Sequence, residues 1–294
     1  MKIYADCIAC QLDRQLANVK HQTDETKKVD YIKEVCRIMS QFDSRYSSPV
    51  ALSEINRAYV RYFGSPVSYE KEKREFDEFL LSFKDEIEEK LKISDDPLTL
   101  ALKYASVGNY IDFGVYRNVQ SSTLLALFDS VNDEQLDSLT LESFKRDLSC
   151  AESLVYLTDN CGESVLDALF IKTMKKLYPT LKIDIIVRGS AVLNDVTLQD
   201  AKRVGLDALA PITPNGTGIP GTQLDMINKE SRRLIENADL IISKGQGNFE
   251  TLQGCGLNIY YILLCKCDLF VKLFGLPKNS KIFANERTLI FPKQ

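Results

Sequence analysis

The stretch Leu154-Val155-Tyr156-Leu157-Thr158-Asp159-Asn160-Cys161-Gly162-Glu163 passes from an apolar run through a short polar turn into an amphipathic segment, 163–177. A run of this length, bounded by turn residues and followed by helical periodicity, reads as strand, loop and helix. The pattern recurs: apolar runs at 183–187, 240–243 and 259–264 alternate with helical segments, one of them at 223–236. Short strands alternating with crossover helices form a parallel sheet covered on both faces. The expected fold is therefore α/β, a doubly wound, mostly parallel sheet with flanking helices.

Upstream of this unit the period changes. Ile8, Leu12, Leu16 and Val19, then Val29, Ile32, Cys36 and Met39, recur at helical spacing, and no strand pattern is visible in the first hundred residues. Ser47-Ser48-Pro49 opens a further helix, because proline suits a first turn. Residues 69–91 read as one long charged helix whose charge run is expected to be a solvated face. Asp95-Asp96-Pro97 caps another helix running towards Gly108. The expected division is an N-terminal helical bundle over 1–105 and an α/β catalytic domain over 106–294.

Composition narrows the chemistry. Lys+Arg 37 against Asp+Glu 41 provides no excess positive field for a nucleic-acid backbone or an anionic membrane. The longest apolar run, 259–265, is far shorter than the roughly 20 residues that span a bilayer. Asp6 and two cysteines interrupt the stretch where an export signal would be apolar, so a cytoplasmic location and thiol cysteines are expected. The single histidine, His21, lies in a polar stretch, which removes Ser-His-Asp triads, Cys-His dyads and His-rich zinc sites together.

In open α/β sheets ligands bind outside the carboxyl ends of the strands. Three such ends carry polar loops: 158–163, Arg188-Gly189 with Asn194-Asp195, and Lys244-Gly245-Gln246-Gly247-Asn248-Phe249-Glu250. Asp159, Asn160 and Asp195 offer only oxygen ligands, the preference of a hard divalent cation, while Arg188 and Lys244 offer partners for phosphate oxygens. That combination suits phosphoryl transfer, which needs charge neutralised on equatorial oxygens. A second reading stands beside it, in which Asp159-Asn160 only caps the following helix.

Gly108-Asn109-Tyr110-Ile111-Asp112-Phe113-Gly114, Thr158-Asp159-Asn160-Cys161-Gly162-Glu163, Leu193-Asn194-Asp195-Val196-Thr197 and the 238–250 segment together resemble the damage-control phosphatases. These are the ARMT-like proteins also known as domain of unknown function eighty-nine, here the stand-alone branch with an N-terminal C-x-x-C. The resemblance implies an α/β core with a helical part, and a divalent metal (Mg²⁺, Mn²⁺, Co²⁺ or Ni²⁺) at Asp159, Asn160 and Asp195. It implies Lys244 near the phosphate and hydrolysis of phosphate monoesters of small, sometimes damaged, metabolites such as sugar phosphates. Asp159, Asp195 and Lys244 are then the catalytic candidates. Asn109, Asp112, Arg188, Asn248 and Glu250 join Lys244 as candidate substrate contacts.

Two motifs remain outside that scheme. Cys7-x-x-Cys10, with Cys267 after the fourth run, can be a redox pair, part of a metal site or buried packing. Gly216-Thr217-Gly218-Ile219-Pro220-Gly221 fits G-x-G-x-x-G, but Pro211, Pro214 and Pro220 argue against a dinucleotide fingerprint. A covalent aspartyl phosphatase of the haloacid-dehalogenase type needs a second Asp two positions after Asp159, where Cys161 stands. Methyl transfer to a carboxylate and non-enzymatic metal or metabolite binding are the competing functions. Metal-dependent phosphate release separates phosphatase activity from both.

Overall fold

The computed structural model describes residues 1–109, 128, 130, 131 and 135–291. Six helices come first: α1 (Ala5–Asn18), α2 (Glu25–Gln41), α3 (Ser48–Phe63), α4 (Glu70–Leu81), α5 (Lys84–Ile93) and α6 (Pro97–Gly108). Helix α7 (Ser138–Cys150) leads into the sheet. The strands are β1 (Ser153–Leu157), β2 (Lys182–Val187), β3 (Ile212–Pro214), β4 (Leu240–Lys244), β5 (Ile259–Leu264) and β6 (Lys281–Asn285). Between them run α8 (Glu163–Leu177), α9 (Leu198–Arg203), α10 (Lys229–Asn237), α11 (Gln246–Leu252) and α12 (Asp268–Phe274).

The sheet order is β3-β2-β1-β4-β5-β6, parallel throughout except for β6, which pairs antiparallel with β5. Alternate residues supply opposite faces, as a pleated strand requires. Leu154 and Tyr156 enter one core with Ile242 and α6–α8; Val155 and Leu157 enter the other with Ile241 and Phe249. The expected α/β sheet covered on both faces is the observed one.

Three expectations need revision. The segment 69–91 is two helices: the Ser82 hydroxyl bonds the Phe79 carbonyl and Phe83 turns its ring onto Phe79, 5.1 Å between centroids. A side chain that takes a backbone carbonyl competes with helix continuation. Nor is its charge run only a solvated face, because Lys73 and Asp77, one turn apart, are 1% and 0% exposed. The helix expected at 223–236 begins only at Lys229, where Asn228 caps it through the Ser231 amide.

The bundle also buries an unexpected face. In α1 the buried residues are Gln11 and Gln15, whereas Ile8 and Leu16 are exposed. Gln15 accepts from the Tyr31 hydroxyl at 2.7 Å, and Gln11 donates to Ser48 at 2.8 Å. Only α1–α3 enclose a core of their own, around Tyr31, Val35, Ile55 and Tyr59. Leu80, Ile87, Leu91 and Leu102, from α4–α6, share the core of the sheet. A boundary at residue 105 would cut through that shared core.

Helix α4 also anchors the first polar turn. Asp77 accepts from the Gly162 amide at 2.6 Å and from Arg203 at 2.7 Å, while Lys73 pairs with Asp200 at 2.9 Å. Gly162 has φ +80°, and a Cβ there would meet Phe76 Cβ at 3.0 Å. The turn carrying Asp159 and Asn160 is thereby clamped from the helical side.

Candidate active site

The loops after β1, β2 and β4 converge at the carboxyl edge of the sheet. The sheet changes winding direction between β1 and β4, the place where open α/β sheets hold ligands. Asp159 leaves β1 and points across this crevice to Gly245, which leaves β4 with φ +78° and ψ 163°. A Cβ on Gly245 would lie 1.8 Å from Asp159 Oδ2. The carboxylate thus occupies the space that any other side chain would fill.

Asp195 reaches the same point from the loop after β2. An isolated antiparallel bridge joins Asn160 to Asp195, the Val196 amide donates to the Asp159 carbonyl at 2.8 Å, and the Cys161 amide donates to the Asn194 carbonyl at 2.9 Å. Leu193, just before this pair, has φ +48°, an unfavourable setting for a leucine. Asn160 Nδ2 donates to Asp159 at 2.7 Å and to Glu163 at 3.2 Å, which leaves Oδ1 as the atom it could offer a cation. The structure therefore brings Asp159, Asn160 and Asp195 together.

Three carboxylates, those of Asp159, Asp195 and Glu163, meet here in buried surroundings. Burial raises the Asp159 carboxyl well above its ordinary range, and the charges of Asp195 and Glu163 push it further; Lys266 and Arg188 only partly oppose them. A divalent cation relieves this kind of repulsion, and the donors are oxygens throughout, so the residues fit a hard metal ion. Among the described residues no three His, Cys, Asp or Glu side chains form a ready metal cluster, so a cation here would rest on two carboxylates and one amide.

Arg188 is 2% exposed, and its Nε bonds Asp195 at 2.6 Å. Its Nη1 bonds Asn248 at 2.9 Å and Thr222 at 3.3 Å. The remaining nitrogen, Nη2, lies 3.6 Å from Asp159 and has no hydrogen-bond partner among the described residues. Asn248 does not face a ligand: it accepts from Arg188 and Thr222 and donates to the carbonyls of Thr158 and Lys244, so it orients the guanidinium.

Lys244 sits beneath the cluster rather than in front of it. It is fully buried and donates to the Ala105 carbonyl at 2.8 Å, to Asp167 at 2.6 Å and to Glu163 at 2.6 Å. Those contacts use all three ammonium protons, so its surroundings support a role in holding Glu163 rather than in meeting phosphate. Burial opposes its charge, but Asp167 and Glu163 outweigh burial and raise its pKa. Burial raises the Asp167 carboxyl above its ordinary range, and the charge and hydrogen bond of Lys244 oppose that rise.

Asn109, at the end of α6, donates to both oxygens of Glu163 at 3.1 and 3.0 Å and to Asp159 at 3.4 Å. It belongs to the site as a clamp on two acids. Asp112 lies outside the described residues. Glu250 points elsewhere: its carboxylate takes the Gln246 amide at 3.0 Å, and Gln246 also reaches the Cys267 thiol at 3.5 Å. Glu163 and Asp167 were not among the sequence candidates. The signal for them is their spacing of four on α8, which stacks both on one helix face beneath Lys244.

A family model described as the damage-control phosphatase ARMT1-like domain matches residues 3–282. Damage-control phosphatase PH1575 of Pyrococcus horikoshii is 27% identical over 288 residues, 96% of this chain and 97% of that protein. A damage-control phosphatase of Archaeoglobus fulgidus is 29% identical over 284 residues, 94% of this chain and 96% of that protein. The crystal structure of a DUF89 family protein from Pyrococcus horikoshii matches with a TM-score of 0.85 at 26% identity, covering 97% of this chain and 99% of that one. Among the described residues no helix is long and apolar enough to cross a membrane.

Proposed function

Since the chain belongs to the damage-control phosphatase ARMT1-like family, we propose that it is a metal-dependent phosphomonoester hydrolase acting on a small phosphorylated metabolite. The observation that carries this reading is the convergence of Asp159, Asn160 and Asp195 on one buried point at the switch of the sheet. A divalent cation held by these three residues would supply Lewis-acid polarisation of the phosphoryl group. Arg188 holds Asp195 in place and keeps one nitrogen, Nη2, free of hydrogen bonds among the described residues and able to donate to an anionic oxygen. Asn109, Asn160 and Lys244 fix Glu163 against the cluster, so the acids keep their geometry through turnover. Preorganised charge of this kind is the largest part of phosphoryl-transfer catalysis.

The test is phosphate release from sugar phosphates and an aryl phosphate, with Mg²⁺, Mn²⁺, Co²⁺ or Ni²⁺ and with a chelator. Metal-dependent turnover that falls by about 10²-fold or more in Asp159→Asn and in Asp195→Asn is expected. Turnover indifferent to chelation, or full activity in either variant, rejects the proposal.

A further inference from the structure

Between α3 and the loops after β2 and β3 lies a cavity of about 910 Å³. Ser190, Val192 and Leu193 line it, and the same loop goes on to Asn194 and Asp195, so cavity and cluster share one loop. The facing wall is the Gly216-Thr217-Gly218-Ile219 turn, held by close backbone contacts. The Gly189 amide donates to the Thr217 carbonyl at 2.9 Å and to Asn215 at 3.0 Å. A Cβ on Gly189 would sit 2.5 Å from the Gly216 backbone.

The volume is at the upper end of small-molecule sites, well beyond what a phosphoryl group needs. Its lining is mixed. Val60, Val67 and Met226, 37%, 40% and 39% exposed, leave apolar surface uncovered, the surroundings an alkyl or aryl body takes. Three arginines also line it, Arg14, Arg57 and Arg61, against one acid, Glu54. The cleft is thus net positive in a chain of net charge −4. Of the five arginines in residues 1–63, Arg37, Arg45 and Arg61 are ion-paired, whereas Arg14 and Arg57 have no ion pair among the described residues.

We propose that this cleft takes the part of the substrate remote from its phosphate, and that Arg14 and Arg57 select esters with an apolar body and a second anionic group at the far end. The inference rests on reading Asp159, Asn160 and Asp195 as the phosphate site, and it names the substrate class of that site. Guanidinium groups suit this task because they remain charged and present a planar fork to a carboxylate.

The probes are ω-phosphonocarboxylates of increasing chain length and their primary amides, titrated calorimetrically with Mg²⁺ present; their C–P bond prevents turnover. At the length that spans the cleft, the carboxylate binds about fivefold more tightly than the amide, the scale of two partly exposed ion pairs. The Arg14→Ala/Arg57→Ala double variant brings that ratio close to one, and Arg14→Lys/Arg57→Lys restores most of it at an unchanged melting temperature. Equal affinities at every length, no binding of any probe, or a ratio that survives the double alanine variant overturns the inference. Failure of the phosphatase reading is visible separately, as absence of phosphate release from every monoester, and leaves the binding ratio readable.

Discussion

Gly245→Ala is the sharpest perturbation of the site, since it adds one carbon without replacing any of the clustered polar side chains. Two costs are separable. The backbone at φ +78° and ψ 163° lies in a region essentially confined to glycine, which costs an alanine roughly 1–3 kcal/mol. The new Cβ would also stand 1.8 Å from Asp159 Oδ2, so the carboxylate must retreat by about 1.2 Å to reach even a 3.0 Å contact. A displacement near 1 Å in a preorganised site costs on the order of 10²-fold in rate. Metal-dependent phosphate release should therefore fall about 100-fold, with a stability loss of about 2 kcal/mol by urea unfolding. Gly275→Ala is the control: φ there is +66° with nothing within 4 Å of the added carbon, so it should cost about 1 kcal/mol and leave the rate unchanged. Wild-type activity in Gly245→Ala would mean that Asp159 is not held at the reacting point.

Three further outcomes follow from the buried polar network. Asn248→Leu strips Arg188 Nη1 of its shorter partner, leaving only Thr222 at 3.3 Å, and takes a donor from the carbonyls of Thr158 and Lys244, so urea unfolding should register a loss of about 3 kcal/mol and phosphate release a fall of at least tenfold. Burial pushes Asp200 up, but the charge and hydrogen bond of Lys73 and the Thr197 contacts hold it at about 2. A carboxylate lowered in the fold stabilises above its unfolded pKa, so about 2 kcal/mol should be lost as pH falls from about 4 to about 2; Lys73→Met should cost about 3 kcal/mol at pH 7. Burial raises Glu250 to about 7 against Gln246 and the amino terminus, so its protonated form suits the fold and stability should decline as pH rises from about 4.5 to about 7. Glu250→Gln should then gain on the order of 2 kcal/mol at pH 8 and nothing near pH 4, as thermal melts at the two pH values would register.

The central strands were legible because a parallel strand buried on both faces must be a continuous apolar run, as 154–157 and 259–264 are. The edge strands were not. β3 is three residues ending in Pro214, and β6 pairs on one side only, so neither needs such a run. The buried face of α1 was illegible for a different reason. Gln11 and Gln15 are buried by partners on α2 and at the start of α3, and no local period encodes those partners.

The site divided along the same line. Asp159, Asn160 and Asp195 were readable because topology sends the loops after parallel strands to one edge whatever their sequence. Glu163 and Asp167 were hidden because acids on a helix look like solvent-facing charge until something buried is found to need them. Lys244 is that need: it is the last residue of a fully buried strand, and a cation with no exposure must have acids within reach. Two carboxylates one turn apart on the helix after β1 are the nearest way to supply them, and the structure contains that pair at 2.6 Å each. A Lys244 turned towards a phosphate would leave Glu163 and Asp167 buried without this counter-charge. With its charge consumed below the cluster, Arg188 Nη2 is, among the described residues, the buried side-chain nitrogen that lies 3.6 Å from Asp159 without a hydrogen bond.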